Sequence, residues 1–406
     1  MISSAWSKIS LTFFFTIALL GTIMRLYPFT DTIIDYEHLL HAHSHVAFQG
    51  WIYTALFLLI CKCYLTEDLI KKGKYRLQFY LTLATIIGIM LAFIIEGYAF
   101  FSILFSSLFQ ILNYWLTYRF FKDVKKSHLT KTHQFSLKFI KLGLLLMVLS
   151  TFGPWAVGVI SAKGLAASEY FNAALYFFLH FQYNGWFAFA ILGLFFWLLE
   201  HYKIPFNRKQ AKLFFVLFSL AVIPTFALSL LGMSFRSSII IFGYVGGALQ
   251  LIALFYFMKA ISASFQLIKN YISKIVLALL LFVLMVFITR ILLQFISLFP
   301  FLEDLAFGNR YLIIAYIHLI MLGFMSFFTL AIFFQLSYLK ENSTLVKTGV
   351  IALLLGFLGS EFILLALGIS LPLFSNLLFL LITSAGMAIG ILLILVGQWK
   401  NKETHP

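Results

Sequence analysis

The chain predicts an all-α integral membrane protein of about twelve transmembrane helices. Three observations carry this. The composition is 62% hydrophobic and only 11% charged, with a mean hydropathy of +1.01, whereas a soluble domain is nearer half apolar and a quarter charged. Apolar runs of about twenty residues, each long enough to cross a bilayer as a helix, recur along all 406 residues. Segments alternating with a period of two, the mark of an outer-membrane barrel, are missing. A single polytopic domain over residues 1–406 is expected.

The spans follow in order. The first, 9–27, stands behind Lys8 and lacks a small-residue cleavage pattern, so it reads as a retained span rather than a signal peptide. The second, 39–61, opens on a histidine-rich stretch and ends at Lys62. The third and fourth, 77–96 and 99–121, lie between Lys71, Lys72, Lys74 and Arg76 on one side and Arg119 and Lys122 on the other. The polar stretch 122–137, with Lys125, Lys126 and Lys131, is the longest loop. The fifth and sixth, 138–162 and 170–199, are separated from the seventh, 211–232, by Lys203, Arg208, Lys209 and Lys212. The last five are read at 237–260, 274–298, 311–337, 347–369 and 374–398, with Lys259, Lys269, Lys274, Lys340, Lys347, Lys400 and Lys402 at alternate junctions.

That alternation sets the orientation. With both termini in the cytoplasm, every one of the 29 basic residues except Arg25, Lys163, Arg236, Arg290 and Arg310 falls on the inner side. This is the positive-inside pattern of a bacterial inner (cytoplasmic) membrane protein. It accounts for the net charge of +15 without nucleic acid, for which no soluble basic face exists. Two cysteines, Cys61 and Cys63, exclude a disulfide framework or a thiolate zinc site.

Three histidines lie inside hydrophobic spans, and each is followed five residues later by glycine: His45 and Gly50, His180 and Gly185, His318 and Gly323. They belong to the second, sixth and tenth spans, every fourth helix. All three fall roughly 10–15 Å below the outer boundary, at ~1.5 Å per residue. An ionisable side chain at that depth is a functional-site candidate. The second span opens with Glu37, His38, His41, His43 and His45. At ~100° per residue His38, His41 and His45 share one face and His43 points away. The sixth carries Tyr183 and Asn184 beside His180, and the tenth carries Tyr316 two residues before His318. The glycine leaves room for a flat macrocycle or for a close helix. Glu361, in the eleventh span, is near the same depth, as a proton-handling group or a neutral hydrogen-bonded one.

These segments resemble the catalytic subunit of the haem-copper oxidase and nitric oxide reductase superfamily, and His41-Ala42-His43 is similar to the His-Ala-His opening of the NnrS family of haem proteins. The resemblance implies a cytochrome oxidase subunit I-like fold, twelve helices in three four-helix arcs, with a low-spin haem b between the second and tenth spans. His318 would supply one axial ligand. The other is His43 by the family position or His45 by the glycine repeat. Tyr316 stands at the family's proximal histidine, and His180 resembles the residue that binds a non-haem metal, with His41 and Tyr183 as neighbouring donors. Asn184 replaces the reductase glutamate, and the seventh span has no histidine pair. A copper site is therefore not expected, while a second haem is allowed for.

Such a protein serves respiratory electron transfer or nitric oxide and oxygen handling, taking electrons from a cytochrome or quinol. The competing reading is a haem-free transporter, channel or respiratory-complex subunit on the same scaffold. Pro154 and Pro224 mark where the fifth and seventh spans would break.

Overall fold

The structure, a computed structural model, describes residues 4–300, 308–371 and 376–399. Among these residues every regular element is helical and no strand occurs. In lipid each backbone amide needs a partner within its own segment, which a helix provides. Among the described residues eleven helices are long and apolar enough to cross a membrane: α1 Ser4–Leu26, α2 Tyr36–Tyr64, α3 Tyr75–Glu96, α4 Phe100–Asp123, α5 Gln134–Ala162, α6 Glu169–His201, α8 Arg236–Ile261, α9 Lys274–Ile296, α10 Arg310–Gln335, α11 Thr344–Gly368 and α12 Asn376–Gln398. Between α6 and α8 lies α7, a pair of helices, Arg208–Ala221 and Pro224–Leu230, bent by 44°. The chain is thus an all-α, multi-pass membrane protein.

Two compact units make up the chain, Met1–Asp123 with Ser326–Pro406 and Val124–Met325. One boundary falls within α10, where the apolar run is unbroken.

In the first unit, α1 packs against α2 and α12. Phe14 stacks on Trp51 of α2, with ring centroids 4.4 Å apart, and Trp6 stacks on Phe79 of α3 at 4.0 Å. Polar groups here are paired across helices. Thr54 donates to Ser10 at 2.8 Å, and the Trp51 indole donates to the Ser326 hydroxyl at 2.8 Å. Helices α11 and α12 touch backbone to backbone. A Cβ on Gly349 would come 2.5 Å from the Gly390 carbonyl oxygen, and one on Gly390 would come 2.7 Å from the Gly349 oxygen. Small residues permit such close approach in membrane helices. Cys61 and Cys63 are free thiols buried in this unit.

In the second unit, α5 and α6 lie close along Gly143, Gly185 and Gly193. Phe135, Phe139, Phe196, Phe214 and Phe257 form an aromatic core linking α5, α6, α7 and α8. The carboxylate of Glu200 accepts from the Phe135 and Ser136 amides at 3.2 and 3.1 Å, capping the start of α5. Arg208 sits 3.7 Å from the same carboxylate. Replacing Glu200 with alanine orphans two amides and removes a negative charge from a helix N-terminus. The unfolding midpoint is expected to fall by an amount corresponding to about 2 kcal/mol, read by tryptophan fluorescence in detergent.

The break in α7 is a proline effect. Pro224 has no amide to donate and its ring opposes a continuous helix. The turn that follows is a 3₁₀ helix running to Leu230. Thr225 folds back to the Ala221 carbonyl at 2.7 Å, and Gly246 of α8 fits against the Thr225 amide, where a Cβ would come within 2.6 Å.

Candidate functional site: histidines at the head of π-helical turns

At each of the three histidine–glycine repeats the helix changes type. The α-helix ends at His45, His180 and His318, and a wider π-helix follows over Val46–Tyr53, Phe181–Phe187 and Leu319–Ser326. The α form then resumes at Thr54, Ala188 and Phe327. Among the described residues these are the only π segments. A π turn pairs a carbonyl with the amide five residues on, and such turns are rare and occur often at functional sites. Five residues is the distance from each histidine to its glycine.

Where the surroundings are known, the glycine serves a close helix contact. A Cβ on Gly50 would lie 3.0 Å from Phe13 of α1 and 2.8 Å from Val46, and one on Gly185 would lie 3.0 Å from Leu146 of α5. Of the two uses foreseen for the glycine, helix approach is the one seen at these positions.

In the first unit the histidines part onto two faces of α2. His38, His41 and His45 turn toward α3 and the short loop after it. His45 stacks on Phe93 at 4.4 Å and 24°, and His41 meets Tyr98 edge-on at 4.5 Å. His38 Nδ1 lies 3.4 Å from the Ile94 carbonyl, and its ring fills the space a side chain on Gly97 would need. Gly97 has φ +64°, so glycine is required there on conformational grounds as well. Burial pushes the Tyr98 phenol above its ordinary range.

His43 points the other way. Its Nδ1 lies 3.1 Å from the Ile17 carbonyl of α1, and the ring sits over Gly21, where a Cβ would approach Cε1 to 3.0 Å. A carbonyl can only accept, so Nδ1 carries the proton and Nε2 keeps its lone pair. That arrangement is how proteins orient a histidine that ligates a metal.

In the second unit His180 heads a directed hydrogen-bond chain. The Arg290 guanidinium of α9 can only donate, so its 2.7 Å contact fixes Oδ1 of Asn184 as the acceptor. The Asn184 amide nitrogen then donates to His180 Nδ1 at 3.1 Å. The imidazole proton must therefore be on Nε2, which donates to the Val222 carbonyl at 2.7 Å. Val222 stands at the break in α7, so His180 satisfies a carbonyl beside the disrupted ladder. As folded, both ring nitrogens of His180 are hydrogen-bonded. Gln294, one turn after Arg290, also donates to Asn184 at 3.3 Å. Tyr316 faces Arg290 and Gln294 without closing a well-formed hydrogen bond to either. Tyr183 lies near Tyr316 and Tyr176.

The expected site residues thus fall into two sets. His41, His43 and His45 belong to the first unit, and His180, Tyr183, Tyr316 and His318 to the second. Among the described residues no three His, Cys, Asp or Glu side chains come together as a metal-ligand group. Glu361 is in the first unit, with one carboxyl oxygen buried and unpartnered. Glu303 and Asp304, possible partners for the outer arginines, lie outside the described residues. Gln294 went unnoticed in the sequence. Its signal is the spacing Arg290-x-x-x-Gln294, which places both on one helix face.

No family model matches the chain, and no curated protein does. Fold and site together define a class: an all-helical, multi-pass membrane protein with three histidine-headed π turns and a buried arginine cluster.

Proposed function

We propose that the protein is a haem protein of the bacterial cytoplasmic membrane, a degenerate relative of the haem-copper oxidase catalytic subunit or of the NnrS family. In this reading α7 is one broken span, giving twelve in three arcs, with both termini inside. The observation that carries the proposal is the recurrence of a π turn directly after a histidine in α2, α6 and α10. Three unrelated packing accidents would not share one residue type and one register.

The residues of α2 fit an axial ligand. His43 offers Nε2 with its tautomer already set by the Ile17 carbonyl. His45, the member of the glycine repeat, has an aromatic neighbour instead. His43 is the proposed ligand from α2, with His45 the alternative, and His318 keeps the role that the resemblance implies for it. A haem b with two imidazole ligands supplies one-electron redox chemistry and leaves no open position for a gas. The protein itself orients the imidazole through the Ile17 carbonyl, which leaves Nε2 as the lone-pair nitrogen of the neutral ring. Electron transfer from a cytochrome or quinol donor follows more directly than turnover of nitric oxide or oxygen. Copper has no place in this reading, because α7 offers no histidine pair and both nitrogens of His180 are hydrogen-bonded.

A reduced-minus-oxidised absorption spectrum of the purified protein tests the proposal. Sharp low-spin bands are expected, with about one haem per chain. A colourless preparation, stable and monodisperse, overturns it. That outcome would favour a haem-free transporter or channel, a reading supported by the broken α7 and the polar cluster beside it.

A further inference from the structure

Among the described residues Glu361 is the only acidic side chain in the interior of a spanning helix. The other acids of these helices, Glu37, Glu96, Asp123, Glu169 and Glu200, each stand in the first or last two residues of a span. Glu361 lies two turns before Gly368, the end of α11, which at ~1.5 Å per residue is roughly 10 Å into the apolar layer. Its neighbours one turn away divide the helix. Phe357 and Leu364 are buried against the bundle, whereas Leu358 and Leu365 are exposed. The carboxyl stands on that border. Oε1 is enclosed and makes no hydrogen bond, while Oε2 reaches the surface.

Nothing nearby answers a negative charge. Among the described residues no ion pair includes Glu361. Helix α12, which packs along α11, has no titratable side chain over Asn376–Gln398. Phe327–Gln335 of α10, which meets α11 through Phe327 and Phe357, has none either. Neutral donors are also turned away. The Ser360 hydroxyl is itself unbonded, and Thr383 of α12 donates to the Phe379 carbonyl of its own helix. An ionised carboxylate without a partner is costly in a low-dielectric setting, and the group neutralises by holding a proton instead. A proton needs no cavity.

We infer that Glu361 is a proton-binding site on the lipid-facing border of α11: its carboxyl stands as the neutral acid in the resting protein and exchanges its proton with the medium. Ionisable groups inside a membrane mark proton relays and substrate paths. The inference goes beyond the haem reading and holds without it. The same geometry makes Glu361 the target of a hydrophobic carbodiimide. The acid O–H adds across one C=N bond of the reagent, the carboxyl oxygen bonding to the central carbon and the proton going to nitrogen. The O-acylisourea then rearranges to a stable N-acylurea as the acyl group moves from oxygen to nitrogen, and no atom leaves.

The test uses the full-length protein in phosphatidylcholine vesicles, whose headgroups offer the reagent neither carboxyl nor amine. Dicyclohexylcarbodiimide at neutral pH should add to the peptide holding Glu361, located by mass spectrometry. A water-soluble carbodiimide with a charged tail should label that peptide at least ~10-fold less, because its charge does not enter the apolar layer. Infrared difference spectra of the unmodified protein against Glu361→Gln should show a protonated-carboxyl C=O band at neutral pH that converts to carboxylate bands in alkali. The reagent comparison needs no variant, so it decides where Glu361→Gln does not fold. Absence of an adduct at Glu361, equal labelling by the two reagents, or a carboxylate signature already present at neutral pH overturns the inference. So does an acid band that alkali does not shift.

Discussion

On the proposed function, replacing His43 with alanine is expected to remove the low-spin haem spectrum of the purified protein, while replacing His45 is expected to leave it in place. The two residues share a helix and nearly a depth, so the difference lies in orientation. His43 has its Nδ1 proton fixed by the Ile17 carbonyl and its ring supported on Gly21. His45 has a phenylalanine face beneath it and no such fixed tautomer. Loss of a ligand, or of the group that orients it, lowers metal-site occupancy by ~10- to 100-fold. Haem per chain, measured as the pyridine haemochrome, should therefore fall at least ~10-fold in His43→Ala. Gly21→Val should weaken binding without removing a ligand, because its side chain would push the His43 ring from its seat. Bleaching by His45→Ala with an intact spectrum in His43→Ala would transfer the role to the glycine repeat. Normal haem content in both would remove α2 from the site.

The largest stability effect is expected at Gly390. A leucine there must place its first carbon 2.7 Å from the Gly349 oxygen and from the Leu353 amide nitrogen. Both are backbone atoms of α11, which cannot turn aside as a side-chain tip does. Overpacking usually costs about 1–3 kcal/mol, and a clash between backbones belongs at the upper end. Gly386, one turn earlier on α12, has open space where its Cβ would be. Gly390→Leu should lower the unfolding midpoint sharply or abolish recovery of folded protein, and Gly386→Leu should change it little. Equal midpoints for the two variants would mean that α11 and α12 are not held by this contact.

The membrane class and the helix positions were legible because hydropathy reports them directly. Eleven of the twelve spans read from the sequence coincide with a helix, to within a few residues at the ends, and the seventh falls on the bent pair of α7, whose break Pro224 marked. Near Pro154 the α-helix is interrupted at Thr151, between Gln134–Ser150 and Phe152–Ala162, although α5 passes as one span. Proline near the start of a helical turn is tolerated there. The histidine–glycine repeat was visible as a spacing, but its meaning was not. Neither hydropathy nor helix propensity distinguishes a five-residue hydrogen-bond step from a four-residue one. Arg290 and Asn184 were 106 residues apart in the chain, and no single-sequence pattern joins such a pair. Their contact arises from the packing of α6 against α9. The same holds for His180 and Val222, whose contact through Nε2 and a main-chain carbonyl no spacing in the sequence indicates.

The π turns carry a consequence for comparing this chain with others. Residues in a π turn advance less about the axis than the ~100° of an α-helix. Side chains beyond Tyr53, Phe187 and Ser326 therefore emerge on a different azimuth from the one a uniform helical wheel assigns. Any alignment that places a gap elsewhere in α2, α6 or α10 will superimpose lipid-facing positions on interior ones. Wheels for these three helices need to be restarted at Thr54, Ala188 and Phe327.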